Sequence, residues 1–251
     1  MRAAAAPEAR RLRLLAPTVT SAVRVGRALA LSLALIAAPA AVAQDRASEA
    51  SVPGPILVLG DSIMAWNAER GASVADVVAA KLGVRTVSAA VPGSRVLGGS
   101  GAVPDQYAPG PWSWVVVQGG GNDLVEGCGC GVCEATLDRL LGPDGGQGAI
   151  AELARRARAD GASVLLWSYY EMPADAPFPF GRCNDELADV RARLALLAAG
   201  DAGIVFVDGR AAVQPSRPRL YDRDRVHPSP AGSHAIGTQL AEAFLDGPAA
   251  P

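Results

Sequence analysis

The sequence predicts a three-layer α/β/α domain on a five-stranded parallel sheet. Three observations predict it. Apolar runs of strand length alternate with segments of helical periodicity. Those runs are apolar on both faces, as in a sheet covered by helices on each side. The residues able to do chemistry fall just after the runs, where a parallel sheet presents its functional loops.

The elements follow in order. "PILVLG" reads as a buried strand near Ile56–Leu59. "AERGASVADVVAAKLG" reads as a helix stopped by Gly83. "VRTVSAAV" is a second strand, and "WSWVVVQGGG" holds a third near Trp114–Gln118. "GPDGGQG", Gly142–Gly148, is a loop. "ASVLLWSYY" holds the fourth strand at Ser163–Ser168. In "NDELADVRARLALLAAG", Leu187, Val190, Leu194 and Leu197 share one helical face, and Gly200 ends the helix. "AGIVFVDGR" holds the fifth strand at Ile204–Val207. A final helix opens with Ser229 as cap and Pro230 at its first position, and runs to about Phe244.

The amino-terminal segment has a different character. A basic leader with Arg10, Arg11, Arg13, Arg24 and Arg27 precedes the uncharged run Ala28–Ala43, which closes on Ala41-Val42-Ala43. That is the pattern of a secretory signal peptide. The run of 16 mostly small residues is shorter than the ~20 apolar residues that span a bilayer, so no stable anchor is expected after cleavage. The expected organisation is a signal peptide at 1–43, a polar arm at 44–53 and one domain at 54–247. The expected location is periplasmic or secreted. Cleavage leaves 17 basic and 24 acidic residues, a net charge of −7, which argues against a nucleic-acid partner.

Four short blocks carry the chemistry. Gly60-Asp61-Ser62 follows the first strand and Pro92-Gly93-Ser94 the second. Gly120-Gly121-Asn122-Asp123 follows the third, and Asp224-Arg225-Val226-His227 follows the fifth after a long loop. Each has a plain structural reading. Asp61-Ser62 suits a helix cap, Gly93 a turn, Asn122-Asp123 a cap, and His227 a surface histidine between prolines. Of the two histidines, His234 lies within the last helix, which leaves His227 as the candidate base. The chain has no G-x-S-x-G elbow and no phosphate-binding G-x-x-x-x-G-K-[ST] loop.

Taken together, "GDS", "VPGS", "GGND" and "DRVH" resemble the SGNH, or GDSL, hydrolase family in residue type, order and rough spacing, from about Ile56 to Phe244. The resemblance implies a flavodoxin-like sheet and a serine esterase that needs no cofactor or metal. It implies Ser62 as nucleophile, His227 as base and Asp224 as the carboxylate that orients it, with Asp222 a nearby competitor. It also implies an oxyanion hole from the Ser62 and Gly93 backbone N–H groups and the Asn122 amide. The chemistry requires such a set. A serine hydroxyl needs a base within hydrogen-bond reach, the imidazole needs one fixed tautomer, and the oxyanion needs preorganised donors. The expected substrate is a small-molecule or envelope acyl ester, such as an acetylated glycan or a lysophospholipid. Acyl transfer at the same site and a non-catalytic envelope binding module are the competing readings.

Two further features bear on the site. "GCGCGVC" places Cys128, Cys130 and Cys133 together, with Cys183 remote. Two disulfides fit an exported chain; four zinc thiolates or a redox Cys130–Cys133 pair are the alternatives. Four cysteines allow three connectivities, and the sequence does not choose among them. The second feature is the Pro- and aromatic-rich loop after the fourth strand. It offers Tyr169, Tyr170, Met172, Phe178 and Phe180 as substrate-binding candidates, against a loop that packs on its own scaffold.

The leader yields a first prediction. Protein recovered from the producing cell should begin at or near Gln44 by intact mass. A chain that keeps residues 1–43 in the membrane fraction would refute the cleavage site.

Overall fold

A computed structural model describes residues 54–247. The expected signal peptide and amino-terminal arm lie outside the described residues.

Three strands bury every side chain: β1 (Ile56–Leu59), β3 (Trp114–Val117) and β4 (Ser163–Trp167). They form the centre of a five-stranded sheet. Its edges are the three-residue β2 (Thr86–Ser88), shorter than the sequence pattern suggests, and β5 (Ile204–Val207). All pairings are parallel, in the order β2-β1-β3-β4-β5. The central strands are buried on both faces and read as mainly apolar runs; the edge strands keep partly exposed side chains, at Thr86–Ser88 in β2 and at Val205 and Phe206 in β5.

Seven helices surround the sheet among the described residues: α1 (Ser62–Ala65), α2 (Val74–Leu82), α3 (Gly121–Cys128), α4 (Glu134–Leu140), α5 (Ala149–Ala159), α6 (Asn184–Ala199) and α7 (Pro230–Asp246). Helices α2 and α7 pack against each other, and α4 packs against both α5 and α6. The cap of α7 is the one the sequence indicates: Ser229 Oγ accepts from the Gly232 N–H at 3.1 Å, with Pro230 at the first position. In α6, Leu187, Val190, Leu194 and Leu197 are buried, as their spacing predicts.

The structure corrects two parts of the element reading. The helix expected from Ala68 begins only at Val74. Ser73 and Asp76 form a reciprocal capping box there, and Ala68–Arg70 makes a separate 3₁₀ turn between the left-handed residues Asn67 and Gly71. Helices α3, α4 and α5 were not predicted. For α5 the signal was present: Ile150, Leu153, Ala154 and Ala157 repeat at helical spacing, and all four are buried.

The contact between α2 and α7 depends on Gly237. A Cβ there would lie 2.6 Å from Val77 Cβ and 3.0 Å from the Val74 carbonyl oxygen. Gly237→Ala should therefore lower stability by about 1–3 kcal/mol through overpacking, read as a lower denaturant midpoint. A lone Gly237→Ala variant as stable as wild type would contradict this packing.

Candidate active site

Ser62 is placed by the turn that ends β1. Asp61 is the cap of α1, its Oδ1 accepting the Ile63 N–H at 2.9 Å. The cap that the sequence suggested is therefore present, and Asp61 provides it. This leaves the hydroxyl of Ser62, the first residue of α1, free for another partner. That partner is His227, whose Nε2 lies 2.9 Å from Ser62 Oγ.

The loop before α7 fixes the imidazole. Asp224 Oδ2 lies 2.5 Å from His227 Nδ1. Its Oδ1 accepts the N–H groups of Val226 at 3.0 Å and His227 at 2.9 Å. Burial works to raise the Asp224 pKa, but the hydrogen bonds from the His227 ring and the two backbone N–H groups outweigh it, so the carboxyl sits below its usual value. Asp222 does not touch the ring. It accepts the Trp66 indole N–H at 2.8 Å, and its own N–H donates to the His227 carbonyl at 2.7 Å. The Trp66 indole stacks on the imidazole, with centroids 3.7 Å apart and planes 5° from parallel. The sequence leaves Trp66, four residues after Ser62, open between cleft and core, and gives it no contact with the ring. The signal was an aromatic residue one helical turn after the serine.

Neighbouring groups brace this loop. The Tyr170 hydroxyl donates to the Val226 carbonyl at 2.7 Å. Arg225, left-handed at φ 61°, reaches both oxygens of Asp175 from its Nε at 3.0 and 3.1 Å.

The donors expected of an oxyanion hole come from three loops. Gly93 takes φ 78°, a conformation open to glycine at little cost. Asn122 donates from Nδ2 to the Ser94 carbonyl at 2.9 Å, which ties the loop after β2 to the start of α3. Buried Asp123 reinforces that tie by accepting the N–H groups of Val96 and Leu97, each at 2.8 Å. The backbone N–H groups of Ser62 and Gly93 have no partner among the described residues. Tyr169 links the two sides. Its hydroxyl donates to Asp61 Oδ2 and accepts the Gly121 N–H at 2.9 Å. Complete burial pushes the Asp61 carboxyl up, against the hydrogen bonds it accepts from Tyr169 and Ile63.

Ser62, Gly93, Asn122 and His227 open onto one cavity of about 400 Å³, walled by Ile63, Met172, Phe180, Leu187 and Val226. Of the five loop candidates, Tyr169, Met172 and Phe180 line it. Tyr170 and Phe178 do not. Tyr170 is fully buried, edge-on to Trp167 and Tyr221, with its hydroxyl on the Val226 carbonyl. Phe178 is 76 % exposed, with Arg182 over its ring. The cysteines form the disulfides Cys128–Cys133 and Cys130–Cys183. This corrects the Cys130–Cys133 redox pairing and the four-thiolate alternative, since every sulfur is already bonded. Cys183 also lines the cavity, so its disulfide joins the segment after α3 to the cavity wall.

Residues 58–235 match the family model described as GDSL-like lipase/acylhydrolase. The chain belongs to that family. Members of this GDSL family are ester hydrolases, and the chain is an enzyme of that type. Solved structures share the fold. A Slackia heliotrinireducens protein classed with the SGNH hydrolases is 24% identical, with TM-score 0.54, over 76% of this chain and 98% of its own. A member of the lipolytic G-D-S-L family from Veillonella parvula is 16% identical, with TM-score 0.57, over 76% and 98%. A catalytic mutant of an acetylxylan esterase from Geobacillus stearothermophilus is 16% identical, with TM-score 0.55, over 76% and 94%. No curated protein matches the chain at the sequence level.

The two aspartates near His227 should separate by function. Asp224→Asn should lower turnover by up to ~10⁴ by favouring the wrong imidazole tautomer. Asp222→Asn should stay within about tenfold, because its amide oxygen still accepts from Trp66 and one exposed charge contributes about 1 kcal/mol or less. Turnover on an ester, with circular dichroism to check folding, decides; the reverse ranking would overturn the assignment.

Proposed function

We propose that this chain is an exported serine hydrolase that cleaves carboxylic esters through Ser62, His227 and Asp224. The observation that carries the reading is the continuous hydrogen-bonded chain from Ser62 Oγ through both ring nitrogens of His227 to Asp224, opening on the cavity. In the resting site Asp224 accepts from Nδ1–H, so Nε2 is left as an acceptor for the Ser62 hydroxyl. Nε2 takes the serine proton as Oγ attacks the ester carbonyl. The tetrahedral oxyanion forms beside the Ser62 and Gly93 N–H groups, which have no competing partner among the described residues, and the Asn122 amide. His227 then returns the proton to the leaving alcohol, and a water repeats the sequence on the acyl-enzyme.

Export is supported by the leader sequence and by two disulfides, which persist in oxidising compartments. No helix among the described residues is long and apolar enough to cross a membrane. An acyl ester of the cell envelope is the substrate this compartment favours.

A fluorophosphonate probe tests the nucleophile. It should label the wild-type protein at Ser62 and leave Ser62→Ala unlabelled, and ester turnover should disappear in the same variant. Unlabelled, well-folded wild-type protein would favour the binding-module reading. Labelling that persists in Ser62→Ala would move the nucleophile elsewhere.

A further inference from the structure

A second cleft, of about 470 Å³, adjoins the active-site cavity. The two share Trp66 and Pro92 in their linings, so they meet beside the imidazole that Trp66 stacks on and next to Gly93. Their linings differ in charge. The first cavity is walled by aliphatic, thioether and aromatic groups. The second sets the charged residues Glu69, Arg70 and Asp222, with Asn67, among Trp66, Pro92 and three alanines.

The loop that forms the second cleft is held in place. Asn67 takes a left-handed conformation at φ 66°, and its side-chain amide donates to the Pro228 carbonyl at 3.1 Å and to Ser233 Oγ at 3.0 Å. That anchors the 3₁₀ turn Ala68–Arg70 to the segment that follows His227. The turn directs Glu69 and Arg70 outward, and both are exposed. Neither forms a salt bridge among the described residues. Charged groups left unpaired beside a reactive centre are available to a ligand.

An ester has two halves, and each needs a place. An acyl chain set in the second cleft would strip water from a guanidinium and two carboxylates with no return. In the first cavity, away from the Ser62, Asn122 and His227 side chains, it meets Ile63, Met172, Phe180, Leu187 and Val226, which gain from leaving water. The alcohol half must lie on the His227 side, because Nε2 gives it a proton as it leaves. We propose that the second cleft is the subsite for the alcohol half of the ester, and that it takes a neutral polyhydroxylated alcohol such as a sugar. The inference rests on the serine-esterase reading above. Hydroxyl groups both donate and accept, which matches a wall that mixes carboxylate acceptors with a guanidinium donor. The Trp66 edge supplies an apolar surface for the C–H groups of a pyranose. The first cavity has room for more than an acetyl methyl, so the substrate class is a sugar or polyol ester of a longer apolar acyl chain.

The test holds the acyl group constant and changes the alcohol. Wild-type mature protein, Arg70→Ala and Glu69→Gln are assayed on octanoyl glucose and methyl octanoate. The expected result is a fall of about tenfold in the ratio of kcat/KM for octanoyl glucose to that for methyl octanoate in each variant, the size expected for a lost hydrogen bond to a charged group. An unchanged ratio in both variants overturns the subsite. Binding gives a second measure that does not need turnover. Calorimetry with Ser62→Ala should detect octanoyl glucose, and adding Arg70→Ala should weaken that binding by a similar factor. No weakening, or no binding to Ser62→Ala, also overturns it. The two readings fail differently: methyl octanoate hydrolysis with an unchanged ratio removes only the subsite, whereas no fluorophosphonate label on Ser62 removes the esterase reading itself.

Discussion

Ser62 and His227 stand 165 residues apart in the chain, and the hydrogen bond between them spans 2.9 Å. Most of what surrounds the site serves to hold that distance. Ser62 is fixed at the end of a central strand by the Asp61 cap. His227 is fixed from four directions: the Asp224 carboxylate on its ring, the Trp66 indole on its face, the Asp222 N–H on its carbonyl, and the Tyr170 hydroxyl on the carbonyl before it. On the proposed mechanism a misplacement of about 1 Å at such a centre costs on the order of 10² in rate, which would make the bracing a functional requirement as much as a structural one.

The bracing uses buried polar groups, and burial makes them selective. Asp61 and Asp123 are carboxylates with almost no contact with water. Each accepts hydrogen bonds from groups on other loops: Asp61 from Tyr169, Asp123 from Val96 and Leu97. A buried carboxylate without such donors is strongly disfavoured, so alternative loop arrangements are penalised and one arrangement prevails. Gln106 acts in the same way, exchanging two hydrogen bonds with the backbone of Gly60 and donating to Ser94 Oγ. Through these contacts the loops after β1, β2 and β3 behave as one body. The disulfide Cys130–Cys183 extends that body to the start of α6 and the cavity wall.

The strands were legible because central parallel strands bury both faces and therefore read as plain aliphatic runs. The reactive residues were legible because the sheet gathers its loops at one edge, so residues after Leu59, Ser88, Val117 and Val207 had to converge. Asp224 could be preferred over Asp222 from the resemblance and the i, i+3 spacing, and the geometry places it on the ring. Other features were not legible. Whether Tyr169 or Tyr170 faces the cavity depends on the phase of an irregular loop, which carries no periodic signal. Trp66 could face cleft or core, and only the fold brings Asp222 to its indole nitrogen. The disulfide pairing depends on the path of the loop after α3, a helix the sequence reading did not find. That helix begins with Gly121-Asn122-Asp123, which looks like a turn because the site requires those residues there.

Trp66 draws these points together. It lies in a short loop between a one-turn helix and a 3₁₀ turn, where neither strand nor helix periodicity applies. Its face holds the imidazole, its nitrogen holds Asp222, and it forms part of the lining of both clefts. The imidazole is thus held from two sides, by Asp224 in the ring plane and by Trp66 above it. A smaller residue at position 66 would still allow the Ser62–His227–Asp224 chain to form. It would remove the wall between the two clefts, and with it the separation of the two halves of an ester that the proposed subsite requires.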